Sequence, residues 1–228
     1  MEATQIGEDV KKLAGSLMNP TPMRPLLSSD DYDRMKSRWA RQKQDDAQRE
    51  AWNKSRVPAR YQAAVVSENG EWDKRLIYLS ERLFRGTIFA LVGTRGTGKT
   101  HMAVECMRQV CDMGRGILYC TAMEVFIAIK DSYRKDSETT EDGVIRRYTA
   151  PELLVIDEAQ ERGETKWEDR MLTAIIDGRY SRMKDTILIS NLTRKAFEES
   201  MGSSVVSRMS ETGGIIECNW PSFRGVEK

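Results

Sequence analysis

Thr87-Ile88-Phe89-Ala90-Leu91-Val92-Gly93-Thr94-Arg95-Gly96-Thr97-Gly98-Lys99-Thr100 is the stretch that decides the fold. It opens as a mostly apolar run that reads as a strand. Its last eight residues satisfy G-x-x-x-x-G-K-[ST], and Lys99 to Met113 reads as a helix. Strand, glycine loop and helix together make a phosphate cradle. Glycines admit the close approach of backbone N–H groups, and a helix N-terminus adds unpaired N–H groups and partial positive charge. Gly93, Thr94, Gly96, Thr97 and Gly98 would line the cradle. Lys99 would reach the β- and γ-phosphates, and the Thr100 hydroxyl would ligate Mg²⁺. The ligands implied are ATP and Mg²⁺.

Downstream, strands and helices alternate. Gly116–Thr121 reads as a second strand, followed by a helix over Glu124–Tyr133 and a polar loop over Lys135–Gly143. Leu153-Leu154-Val155-Ile156 is wholly apolar, as expected of a strand buried on both faces. Lys166–Arg182 reads as a helix, and Thr186–Ser190 and Gly214–Cys218 as the last strands. This order predicts an α/β fold: a parallel five-stranded sheet flanked by helices.

The acids that complete such a site stand at the end of the third strand. Leu153-Leu154-Val155-Ile156-Asp157-Glu158 places two carboxylates at a strand's carboxyl end, where open α/β sheets bind ligands. Asp157 would hold Mg²⁺ together with Thr100, and Glu158 would polarise the attacking water. A helix-capping Asp is the bland alternative. Asn191 follows the fourth strand directly, where an amide could orient that water or serve as an ordinary turn residue. Arg208 and Arg224 are candidates for stabilising charge on the γ-phosphate. Sequence position alone does not separate them from solvated surface arginines.

Bulk properties set the frame. The chain has 228 residues, a formal net charge of +1 and 31% charged residues, with a mean hydropathy of −0.57. No stretch approaches the roughly 20 apolar residues of a membrane span, and no apolar leader is visible at the start. A cytoplasmic protein with no membrane partner is the expectation. The four cysteines, Cys106, Cys111, Cys120 and Cys218, form no C-x-x-C pair and read as reduced packing residues. His101 is the single histidine.

Residues 1–55 differ from the rest. Prolines interrupt the early part, and Asp30 to Lys54 then carries dense mixed charge without glycine or proline. Tyr32, Met35, Trp39 and Ala40 recur at helical spacing, which predicts a thin amphipathic stripe. It is either a partner-binding helix or a charged, solvated one. Val57-Pro58 marks the boundary, giving an N-terminal segment over 1–55 and a catalytic core over 56–228.

The ordered motifs resemble the AAA+ ATPases of the DnaC-type helicase loaders and their relatives, the IstB-type transposition helpers. The resemblance covers about residues 56–224. It is carried by Arg56-Val57-Pro58-Ala59-Arg60-Tyr61, Gly93 to His101, Leu153 to Glu158, Ile187 to Asn191, Val205 to Met209 and Cys218 to Arg224. It implies that Asn191 is the sensor 1 residue, Arg208 an arginine finger acting on a neighbour's ATP, and Arg224 a sensor 2-like arginine. His101 takes the place of a loader-like residue after the glycine loop. The resemblance also implies a core without the usual C-terminal lid and assembly of like subunits through the ATP interface. The family's Gly-Glu-Arg-Val before the finger helix is Gly202-Ser203-Ser204-Val205 here, so a charged pair is missing.

The function implied by the resemblance is that of an ATP-hydrolysing loader, which binds a DnaB-type replicative helicase and delivers it to single-stranded DNA. Lys130, Tyr133 and Arg134, with Lys166 and Trp167, match the loaders' DNA-contacting element. Aromatic rings beside basic groups suit base stacking with phosphate contact. Tyr133 also shares a helix face with Phe126 and Ile129, and Trp167 with Met171 and Ile175, so core packing is the competing reading. Two alternatives to the loader stand. One is a transposition helper acting with a transposase; the other is an ATP-binding switch that scarcely hydrolyses.

Overall fold

A computed structural model describes residues 28–63, 70–163 and 165–223. Strands β1 (Ile88–Val92), β2 (Ile117–Thr121), β3 (Leu153–Asp157), β4 (Asp185–Ile189) and β5 (Gly214–Glu217) form one sheet in the order β2-β3-β4-β1-β5. Every pairing is parallel. A parallel sheet needs crossover helices on its faces, so its strands are covered on both sides. All five residues of β1, of β3 and of β4 are buried.

Alternation along the strands divides the core in two. Ile88, Ala90, Val92, Leu154, Ile156 and Leu188 face one layer of helices. These are α4 (Ala122–Asp131), α5 (Glu141–Thr149), α6 (Lys166–Tyr180) and α7 (Arg194–Thr212). Phe89, Leu91, Val155 and Ile187 face the opposite layer, α2 (Gly70–Ser80) and α3 (Lys99–Asp112). From β1, inside the sheet, the chain crosses to the far edge at β2 and returns through β3 and β4, so the carboxyl ends of β3, β4 and β1 lie side by side. Open α/β sheets bind ligands at such carboxyl ends, where the direction of winding reverses.

Caps set the helix starts. Thr121, Thr140, Thr165 and Thr193 each accept a backbone N–H at the starts of α4, α5, α6 and α7. Helix α3 departs from this pattern. Its N-cap is Gly98, in the left-handed region at φ 77° and without a side-chain cap, so its first N–H groups stay available.

Two helices, and the first half of a third, lie outside the sequence expectation. Helix α5 begins inside the polar stretch read as a loop; Thr140 caps it and Tyr148 anchors it in the core. Helix α2 is short, and only Trp72 and Leu79 are buried along it. Helix α7 is broken by Gly202 at φ 77°, ψ 158°, a conformation open to glycine alone, so neither half carries a long periodic signal. Among the described residues no helix follows β5.

Helix α1 spans Ser29–Lys54. The chain divides into two compact units between Lys43 and Gln44. In the first unit, Tyr32 and Trp39 are exposed at 55% and 66%. In the second, Ala51 and Trp52 pack against the α2–α3 layer of the core, and the Arg108 guanidinium lies 4.7 Å from the Trp52 ring. No described helix is long and apolar enough to cross a membrane.

Candidate nucleotide site

The glycine loop between β1 and α3 is held from several sides. Gly93, Gly96 and Gly98 all have positive φ. A Cβ on Gly98 would stand 2.9 Å from Trp72 Nε1, and one on Gly93 would stand 2.8 Å from the Cys218 carbonyl oxygen. Trp72 Nε1 donates to the Gly98 carbonyl at 3.2 Å, and Trp220 Nε1 donates to the Thr97 carbonyl at 2.8 Å. The Phe223 N–H donates to the Gly96 carbonyl at 2.9 Å. The loop is thus braced through its carbonyls, and its glycines would let a phosphate approach the backbone closely. Lys99 is buried, with Nζ 2.7 Å from the carbonyl oxygens of both Gly93 and Thr94.

The structure brings together the two side chains that the sequence offers as metal ligands. Thr100 Oγ1 lies 3.0 Å from Asp157 Oδ2. The same carboxylate oxygen accepts from the Tyr119 hydroxyl at 2.6 Å, and Asp157 Oδ1 accepts from the Glu158 N–H at 2.7 Å. A hydroxyl and a carboxylate at this separation are the hard oxygen donors that suit Mg²⁺. Beside a cradle a Cβ would fill and an uncapped helix N-terminus, they fit a nucleotide with its magnesium.

Glu158 follows with φ 53°. Burial and then the Asp157 charge push its carboxyl above the ordinary value. Both effects suit a group that must accept a proton. Asn191 stands in the neighbouring loop. Its N–H donates to Gln160 Oε1 at 3.3 Å, while Ala159 N–H donates to the Ile189 carbonyl at 2.9 Å. The Gly93 N–H donates to the Leu192 carbonyl at 3.0 Å. The loops after β1, β3 and β4 are thus tied to one another. His101, at the start of α3, meets the Tyr61 ring edge-on at 4.9 Å, and burial lowers its pKa.

Arg208 keeps different company. Its Nε lies 3.0 Å from Asp177 of α6, its guanidinium 5.5 Å from the Tyr180 ring, and its Nη1 donates to the Ser204 carbonyl at 2.9 Å. Ser204 is one of the residues that replace the family's charged pair. Arg224 lies outside the described residues.

The candidate DNA residues form a small surface cluster. Tyr133 is 52% exposed, so it does not share the core position of Phe126 and Ile129. Trp167 is half-buried and lies 6.1 Å from Phe126 and 6.3 Å from Tyr133, centroid to centroid. Lys130 Nζ is 5.2 Å from the Trp167 ring centroid. Arg134 is exposed and pairs with Asp131, and Lys166 is exposed.

Sequence reading passed over Tyr119, Trp72 and Gln160. None belongs to a motif; the sheet order and the helix layer bring each to the site.

The family model described as IstB-like ATP binding protein matches residues 85–225. The replicative helicase loader DnaC of Escherichia coli strain K12 is 31% identical over 167 residues, covering 72% of this chain and 67% of the relative. The crystal structure of the DnaC helicase loader shares the fold at a TM-score of 0.60 and 20% identity, covering 70% of this chain and 99% of that one. The replication initiator DnaA bound to AMPPCP and single-stranded DNA shares it at 0.58 and 21%, covering 72% of this chain and 51% of that one.

Proposed function

The chain belongs to the DnaC/IstB family of AAA+ ATPases, homologous to replicative helicase loaders, and on that premise we propose that it is an ATP-dependent helicase loader. In this reading it binds a DnaB-type hexameric replicative helicase through its N-terminal segment, residues 1–55. It delivers that helicase to single-stranded DNA in the bacterial or phage-infected cytoplasm. The observation that carries the reading is the match to the E. coli loader over most of the core, with the phosphate loop, Asp157 and Glu158 in one crevice. The chain spans two thirds of that loader's length, so the partner and the cargo are the proposal's own content.

The residues divide the work. The loop N–H groups and the α3 N-terminus hold the phosphates, and Lys99 neutralises the β- and γ-oxygens. Thr100 and Asp157 would hold Mg²⁺, which would supply neutralisation of the charge on the phosphoryl oxygens. Glu158 takes a proton from the attacking water, and Asn191 orients that water. Arg208 is assigned the arginine-finger role on a neighbour's ATP on the resemblance alone, and in that role it would exchange its contacts with Asp177 and Ser204 for the phosphate. Arg224 is assigned the sensor 2 role on the resemblance alone. Lys130, Tyr133, Arg134, Lys166 and Trp167 are proposed to contact single-stranded DNA; the exposed Tyr133 ring beside Lys130 and Trp167 supports this.

A second reading, a transposition helper of the IstB type, draws on the family description itself. Co-purification separates the two. The full chain is offered in turn to a hexameric replicative helicase and to a transposase, with and without ATP. Retention of the helicase alone is expected; retention of the transposase alone would reverse the assignment.

A further inference from the structure

The metal-binding carboxylate has a partner that no motif supplies. Tyr119 lies opposite Val155 in the β2–β3 register, and Asp157 is two residues further along β3. The two side chains are therefore diagonal neighbours on one face, at a separation a phenol can span. The Tyr119 hydroxyl donates to Asp157 Oδ2 at 2.6 Å, and Tyr119 is only 6% exposed. With Thr100 on the same oxygen and the Glu158 N–H on the other, the carboxylate is held from three directions. The tyrosine is itself anchored: its N–H donates to the Ser55 carbonyl at 2.7 Å, just beyond the end of α1.

We propose that Tyr119 is a positioning residue for Asp157, whose hydroxyl fixes the orientation of the metal-binding carboxylate and so sets the Mg²⁺ dependence of nucleotide binding. The inference rests on the proposed nucleotide site. Groups that hydrogen-bond a metal ligand orient it and tune its affinity, and losing one typically costs about 10- to 100-fold in metal binding. A tyrosine that merely fills the core would affect the fold and the nucleotide cradle, with no preference for the metal.

The test is binding of a fluorescent ATP analogue to the full chain, titrated with Mg²⁺ and repeated in EDTA. Tyr119→Phe keeps the ring and removes the hydroxyl. The expected result is unchanged affinity in EDTA with the half-saturating Mg²⁺ concentration raised about tenfold. A Mg²⁺ curve that superimposes on the parent's overturns the inference, as does a loss of affinity equal in EDTA and in Mg²⁺. Parent protein that binds the analogue equally well in both conditions overturns the metal site, and the inference with it.

Discussion

Glu158 sits where a residue with a side chain rarely sits, at φ 53°, with its N–H committed to the carboxylate of the preceding Asp157. That arrangement holds a second carboxylate beside the first, and burial with the Asp157 charge raises its pKa. The folded chain then binds this proton more tightly than the unfolded chain does. Stability is lost as pH rises from the ordinary glutamate pKa through the raised one, so at neutral pH the ionised side chain is a liability. Glu158→Gln should keep ATP affinity and lower kcat by about 10²-fold or more. It should also melt at a higher temperature than the parent at pH 7.5 without nucleotide or metal. The melting difference should shrink toward pH 4, where both side chains are neutral. Steady-state turnover and melts at the two pH values check this; undiminished turnover would remove Glu158 from the role of base.

Among the elements, the strands were readable because each is a short apolar run bounded by loops, as a strand buried on both faces must be. The helices were readable where apolar spacing was long, as in α3 and α6. It was not long in α5, whose start Asp142-Gly143 carries no apolar side chain, nor in α7, interrupted by Gly202. Helix α1 was legible as a helix, but its division was not. The stripe of Tyr32 and Trp39 is exposed, whereas Ala51 and Trp52 join the core and Ser55 is fully buried and bonded to β2. Deleting residues 1–43 should therefore remove helicase binding while leaving the ATP-binding core folded. Deleting residues 1–55 should in addition strip Trp52 and Ser55 from the core, at a cost of roughly 2–4 kcal/mol for the lost apolar burial and hydrogen bonds. Chemical denaturation of the two truncations, beside helicase co-purification, measures both effects; helicase binding retained after removal of 1–43 would move the partner surface to residues 44 onward.

At the scale of the molecule, the site is the product of strand order. The phosphate loop, Asp157 and Glu158 were legible because each carries its chemistry within a contiguous motif. Tyr119 and Gln160 were not, because their meaning depends on which strand lies beside which: β2 against β3, and the β3 loop against the β4 loop. Tyr133 and Trp167 were legible as aromatics at helical spacing, but only the packing separates the exposed ring from the half-buried one. The same fold that joins the loops after β1, β3 and β4 holds Arg208 against Asp177 and Tyr180 of α6. A nucleotide site shared between copies, and acting on a helicase, is the centre of the proposed function. Helicase transfer onto circular single-stranded DNA, followed by gel filtration of the DNA-bound fraction, tests it most directly. Adding this protein with ATP should move the helicase into the DNA fraction, and Lys99→Ala should abolish the transfer. Transfer that is the same without the protein, or undiminished by Lys99→Ala, would contradict the loader assignment.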